Sequence, residues 1–115
     1  MSGMGPIAHG NAIGGSLRFP AAANGAATVK PGLGRTPAYN PSQTAERGIL
    51  AQTTSVQGVI CREVRDVRLA MQSAIAYSPM DPWHVPMPWN GPASDGPVRV
   101  AFTRETYGFE MHPAV

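Results

Sequence analysis

The sequence predicts an α/β fold made of short elements, on three observations. Val64, Val67, Met71, Ala74 and Ile75 recur at helical spacing, which places them on one face of a helix over 62–77. Val98-Arg99-Val100-Ala101-Phe102 alternates as a strand does. Gly and Pro supply about a fifth of the 115 residues, so the elements are separated by turns and loops rather than by long regular segments.

The elements follow in chain order. Residues 1–16 are rich in Gly and small side chains and read as a loop. Residues 20–23 read as a short helical turn, because Pro20 is tolerated in a first turn. Residues 26–30 read as a short strand stopped by Pro31-Gly32. Residues 35–48 are polar and broken by Pro37 and Pro41, so they form a loop. Residues 49–61 are mixed short runs, either a strand or a connector. The 62–77 helix turns Arg65, Asp66, Arg68 and Gln72 outward and stops at Ser78-Pro79. Pro79, Pro82, Pro86, Pro88, Pro92 and Pro97 make 79–97 an extended or turning connector. The strand at 98–102 comes next. Pro113 then reads as the first turn of a further helix, so the chain has the pattern of a domain cut short.

Composition excludes several classes of function. Charged residues are 14% of the chain and the net charge is +2. The bases stand singly apart from Arg62, Arg65 and Arg68, and Glu63 and Asp66 are interleaved with those three. A solvated helix face with local ion pairs fits this pattern; a basic stripe for nucleic acid does not. No apolar run reaches the length of a membrane span. The one cysteine, Cys61, sits at the edge of an apolar stretch and reads as a buried structural thiol. With no secretory signature, the cytoplasm is the expected compartment. His9, His84 and His112 have no ligand spacing, so no metal site is expected. His9 lies close enough in sequence to Ser16 to be weighed as a base, but an exposed loop histidine is the simpler reading.

The segment Gly10-Asn11-Ala12-Ile13-Gly14-Gly15-Ser16-Leu17-Arg18-Phe19-Pro20-Ala21 stands out chemically. Gly14 and Gly15 let the backbone turn sharply and approach a ligand closely. A hydroxyl directly after such a turn can be presented to a substrate, beside backbone N–H groups able to stabilise an oxyanion. The same residues also make a plain turn in which Ser16 caps the helical turn that follows, and on spacing alone that is the simpler reading. Other site patterns fail. Lys30 lies between Val29 and Pro31 rather than in a phosphate-binding Gly-Lys-Ser/Thr string. Arg18 occupies the last position of a would-be G-x-S-x-G nucleophile elbow. No strand is followed by a dinucleotide fingerprint.

That segment resembles the hallmark of the amidase signature family, Gly-Ser/Thr-Asp-x-Gly-Gly-Ser-x-Arg-x-Pro-Ala. The resemblance continues in order along nearly the whole chain. Asn24-Gly25-Ala26-Ala27-Thr28-Val29-Lys30-Pro31 is similar to the family's Cys-Gly-Val-x-Gly-Leu-Lys-Pro, and Gly34-Arg35-Thr36 to its Gly-Arg-Val. Gly58-Val59-Ile60-Cys61-Arg62-Glu63-Val64-Arg65-Asp66 is similar to Gly-Pro-x-x-Arg-Thr-Val-x-Asp. Pro79-Met80-Asp81-Pro82 is similar to Asp-Pro-x-Asp-Pro, 98–102 to the next strand and His112-Pro113 to the next helix start.

The resemblance implies part of a mixed β-sheet with flanking helices, incomplete at both ends. It also implies hydrolysis or transfer of amides through a Ser–Ser–Lys triad. In that chemistry a neutral lysine takes a proton from a bridging serine, which activates the nucleophilic serine. An acyl-enzyme forms, ammonia or an amine leaves, and water releases the acid. Carried over by position, Ser16 is the nucleophile. Ile13, Gly14, Gly15 and Ser16 supply oxyanion N–H groups, and Arg18 and Asn11 are structural neighbours of the loop. The implied substrate is a small-molecule amide, with no cofactor. The family's catalytic lysine and bridging serine lie upstream of the hallmark and have no counterpart here; Lys30 matches a non-catalytic position. Ala12 stands where the family has Asp, a carboxylate that would brace the loop or pair with Arg18.

The expectation is therefore an amide-hydrolase segment inactive by itself and marginally stable, with association covering its exposed core. Two alternatives compete with it: a non-catalytic truncated remnant, and an interaction module built on the proline-rich stretch around Trp83 and Trp89.

Overall fold

The computed structural model describes residues 3–39, 48–102 and 107–110. Its elements are β1 (Ile7–Ala12), α1 (Arg18–Ala23), β2 (Ala27–Thr28), α2 (Ile49–Thr54), β3 (Val56–Cys61) and α3 (Val64–Ala74). The strands form one antiparallel sheet in the order β1-β3-β2. The architecture is a small α/β arrangement, as expected.

β3 is the central strand. Its sequence Val56-Gln57-Gly58-Val59-Ile60-Cys61 is apolar on both faces, which is how a strand covered on both sides reads. Val59 and Cys61 face α3, where they form a core with Val67 and Met71; Ala27, Val29, Ala70, Ala74, Ile75 and Trp89 pack around it. The helical period read from the sequence therefore marks the face that packs on the sheet. Its first member is the exception: Val64 opens the helix and is 76% exposed. α3 is also shorter at both ends than the expected 62–77. Glu63 is its N-cap, in an extended conformation, and Ile75 closes it. Arg65 pairs with Glu63 at 2.8 Å and with Asp66 at 3.8 Å on the exposed side, the local ion pairs anticipated. Exposed pairs of this kind contribute little to stability.

α1 ends in a Schellman arrangement. Ala26 N donates to Ala21 O at 2.8 Å and Gly25 N to Ala22 O at 3.3 Å. Gly25 takes φ +58, the left-handed position that closes such a helix without a Cβ clash. The chain then enters β2, which pairs with the end of β3 through Ala27↔Cys61 and Thr28↔Ile60.

Two expectations are corrected. Residues 1–16 are not all loop, because Ile7–Ala12 is a strand paired along its whole length with β3. Its Ala, Gly, His and Asn residues have weak strand preference, so the ladder, not propensity, makes it. Residues 98–102 are not a strand. They alternate correctly, but no described strand pairs with them, and Val98, Val100 and Phe102 are exposed. The helix start expected at His112-Pro113 lies outside the described residues.

The proline-rich connector folds back as a strap. Val85 N donates to Gly34 O at 2.8 Å, and Arg35 Nη2 donates to Pro88 O at 2.9 Å. The buried Asp81 carboxylate accepts from Ala38 N at 2.6 Å and from Trp83 N at 2.9 Å. Gly34, at φ +77, has the Trp83 carbonyl against the position a Cβ would take, so only glycine lets the two segments close up.

Candidate active site

Ser16 lies in the turn between β1 and α1, and its side chain is exposed. Gly15 takes φ +138, and a Cβ there would fall 2.6 Å from Phe19 Cδ2. The backbone conformation therefore favours glycine at that position, and a Cβ would also displace the exposed Phe19 ring. Nothing lies within 4 Å of where a Gly14 Cβ would be, so the outer side of the turn is open. Phe19 N donates to Gly15 O at 2.9 Å and Ala21 N to Leu17 O at 3.2 Å, which tie the turn to the helix.

The expectation that Ser16 caps the helix does not hold. The N-cap of α1 is Leu17, and no side-chain capping bond is made. Among the described residues the Ser16 hydroxyl has no hydrogen-bond partner, and the N–H groups of Ile13, Gly14, Gly15 and Ser16 donate to no turn or loop carbonyl. The turn thus carries an exposed hydroxyl and several N–H groups that no described turn or loop carbonyl accepts.

The other candidates are placed as follows. Asn11 and Arg18 are exposed on either side of the turn, Asn11 in β1 and Arg18 as the first residue of α1. Arg18 meets no carboxylate among the described residues. Ala12 is 1% exposed and opposite Val56, so a packed methyl occupies the place where the family has an acid. His9 is exposed on β1 and pairs with Val59. It therefore belongs to the opposite sheet face from Gly10 and Ala12, the strand residues that lead into the turn. Lys30 is half-buried beyond β2. Cys61 is buried in the α3 core; burial, and secondarily the Asp66 carboxylate, push its thiol up from the ordinary value. Among the described residues no cluster of His, Cys, Asp and Glu is able to hold a metal ion, and no helix is long and apolar enough to cross a membrane.

Sequence reasoning passed over the residue that fastens the turn. Leu17 is completely buried, and its side chain lies over Gly10 and Gly58, which face each other in the β1–β3 ladder. The available signal was the pair of glycines inside strand-length segments, since a strand glycine often marks a close approach by another group.

The Ser16 hydroxyl therefore stands on a strand–turn–helix corner between β1 and α1. Residues 2–115 match the family described as Amidase, and the chain belongs to the amidase family. Over 114 residues it is 52% identical to an indoleacetamide hydrolase of Bradyrhizobium japonicum, an overlap covering 99% of this chain and 24% of that protein. A putative amidase AmiC of Mycobacterium tuberculosis is 45% identical over 65 residues, 56% of this chain and 13% of that protein. An acetamidase of Aspergillus oryzae is 38% identical over 89 residues, 74% of this chain and 16% of that protein. The chain spans about a quarter or less of the length of these relatives.

Proposed function

We propose that this chain carries the nucleophile-bearing part of an amide hydrolase, with Ser16 as the attacking residue. The observation that carries the reading is the Gly14-Gly15-Ser16 turn, which has an exposed hydroxyl and N–H groups without a turn or loop acceptor, in a chain of the amidase family. Ser16 Oγ attacks the amide carbon as its proton passes to a base, and the carbonyl oxygen gains the electron pair. The N–H groups of Ile13, Gly14, Gly15 and Ser16 stabilise that oxyanion. Collapse of the adduct breaks the C–N bond, the protonated amine or ammonia leaves, and water hydrolyses the ester at Ser16. No residue of this chain is assigned as the base, and residues 1–115 alone are expected to be inactive. Ile13 and Asn11 line the turn, and Arg18 orders its helical side.

The substrate we propose is a small primary amide of an aryl-substituted acetic acid, on the strength of the identity to the indoleacetamide hydrolase. A cytoplasmic setting belongs to the same proposal, supported by a single buried thiol with no disulfide. So does association that covers the exposed Val98, Val100 and Phe102. The alternative of a free proline-rich ligand is less well supported, because Trp89 packs against this chain's own core.

The test is ammonia release from indoleacetamide and from acetamide, measured on the protein at its native length. Indoleacetamide should be the better substrate, and Ser16→Ala should lower its turnover by about three orders of magnitude or more. A variant that keeps the parent rate would remove Ser16 from the chemistry.

A further inference from the structure

The exposed turn is held to the sheet by an arrangement of three residues distant in sequence. Gly10 and Gly58 stand opposite one another across the β1–β3 ladder, so both leave the same sheet face without a side chain. Leu17 fills the space. A Cβ on Gly10 would lie 3.3 Å from Leu17 Cδ2, and one on Gly58 would lie 2.6 Å from Leu17 Cδ1 and 3.0 Å from the Val29 carbonyl oxygen. Neither glycine has a positive φ, so room rather than backbone conformation disfavours a side chain there: strongly at Gly58, where a Cβ also meets a backbone carbonyl, and mildly at Gly10, where Leu17 would have to yield by a few tenths of an ångström. Leu17 directly follows Ser16 and is the N-cap of α1. A shift of its side chain away from the sheet therefore moves the Ser16 backbone with it.

We propose that the Gly10–Gly58 pair is a socket for Leu17 and that this seat sets the height and aim of Ser16, which makes Gly10, Leu17 and Gly58 positioning residues for the serine. The role in catalysis rests on the reading of Ser16 as nucleophile; the seating of the turn does not. The socket gives the turn one fixed point on the sheet while its outer side stays open. A displacement of about 1 Å at a reacting group is enough to cost about a hundredfold in rate; a methyl group at Gly10 asks Leu17 to yield by a few tenths of an ångström and one at Gly58 by more, so the two substitutions grade the perturbation.

The experiment uses the protein at its native length and two measurements. The first is amide hydrogen exchange at Phe19 and Ala21, whose N–H groups bond within the turn and helix start. The second is the rate at which a fluorophosphonate probe labels Ser16, located by peptide mass spectrometry. Gly10→Ala, which touches only Leu17, should raise exchange at both amides severalfold and slow labelling about tenfold. Gly58→Ala should do more, because it also meets the Val29 carbonyl. Leu17→Val in the Gly10→Ala background should restore much of both. Val59→Ala, on the opposite sheet face, controls for general destabilisation: it should lower the melting temperature and leave both measurements on folded protein unchanged. Gly10→Ala and Gly58→Ala with parent exchange rates would overturn the socket whatever the labelling shows. Raised exchange in a protein whose parent form is unlabelled at Ser16 would support the socket and refute the nucleophile instead.

Discussion

The two faces of the central sheet are built on opposite plans. On one, Val59 and Cys61 meet Val67 and Met71 of α3, and larger side chains including Ile75 and Trp89 close around them. On the other, the strands offer Gly10, Ala12, Val56 and Gly58, and a single buried leucine drops onto the glycine pair. The first face holds the chain together by the area of apolar surface it removes from water. The second, with Ala12, Leu17, Ala21 and Val56 buried, fixes where one short turn sits. Stability and the presentation of Ser16 are thus assigned to different sides of the same strand, β3, and substitutions on the two sides should separate the two properties.

The largest effect expected from that separation is on the α3 face. Met71 is completely buried, and deleting its side chain leaves a cavity in the core it shares with Val59, Cys61 and Val67. Met71→Ala should cost about 2–5 kcal/mol, read as a lower urea midpoint at unchanged slope. On the folded fraction, probe labelling of Ser16 should match the parent. Altered labelling at low denaturant would show that the two faces are coupled and would break the comparison.

How much of this was legible in the sequence also divides by face. The α3 face was, because a helix announces its buried side through a local period, and Val67, Met71, Ala74 and Ile75 kept it. β3 was legible only as a choice between strand and connector. A strand buried on both faces loses the alternation that would declare it. β1 has the local pattern of a loop because its stability comes from its partner, and the residues that pair with it are distant in sequence. The alternation at 98–102 misleads for the same reason: pairing decides a strand, and the described sheet is made of β1, β3 and β2 alone. At the site, local pattern leaves Ser16 between a cap and a nucleophile; the structure lacks the capping bond, and the nucleophile reading rests on the family hallmark. The Leu17 socket was out of reach, because its two glycines become neighbours only when the ladder forms.

A smaller effect is expected where the proline-rich strap joins the α3 face. Asp81 is buried and accepts from two backbone N–H groups, Ala38 and Trp83. Asp81→Ala removes the acceptor of both, and because Ala38 is half-buried and Trp83 exposed water can take its place, so the cost should be about 0.5–1.5 kcal/mol per hydrogen bond. Loosening the strap should expose Trp89, so tryptophan emission should shift to the red and be quenched more readily by acrylamide. Exchange at Phe19 and Ala21 should stay at parent values. If those amides respond, the strap bears on the turn as well, and the division by sheet face is too simple.

The smallest effect follows from Cys61. Its thiol is buried in the α3 core, and burial, with the Asp66 carboxylate acting in the same direction, raises its pKa in the folded chain. As pH rises past the ordinary thiol value, about 8.5, the unfolded chain loses this proton first. The unfolded state then binds fewer protons than the native state, so stability falls with rising pH, from that value up to the raised one. Below that window the group contributes no pH dependence. Urea midpoints measured from pH 7 to pH 9.5 should therefore fall more steeply for the parent than for Cys61→Ala, whose lower midpoint at neutral pH reflects lost packing alone. Equal slopes would assign the alkaline loss to other groups. The same titration sharpens the contrast between the faces, because ionisation of Cys61 acts where α3 meets the sheet. After correction for the intrinsic pH dependence of exchange, the ratio of protection at Phe19 to protection at Val59 should rise with pH, as the α3 side weakens and the Leu17 seat does not.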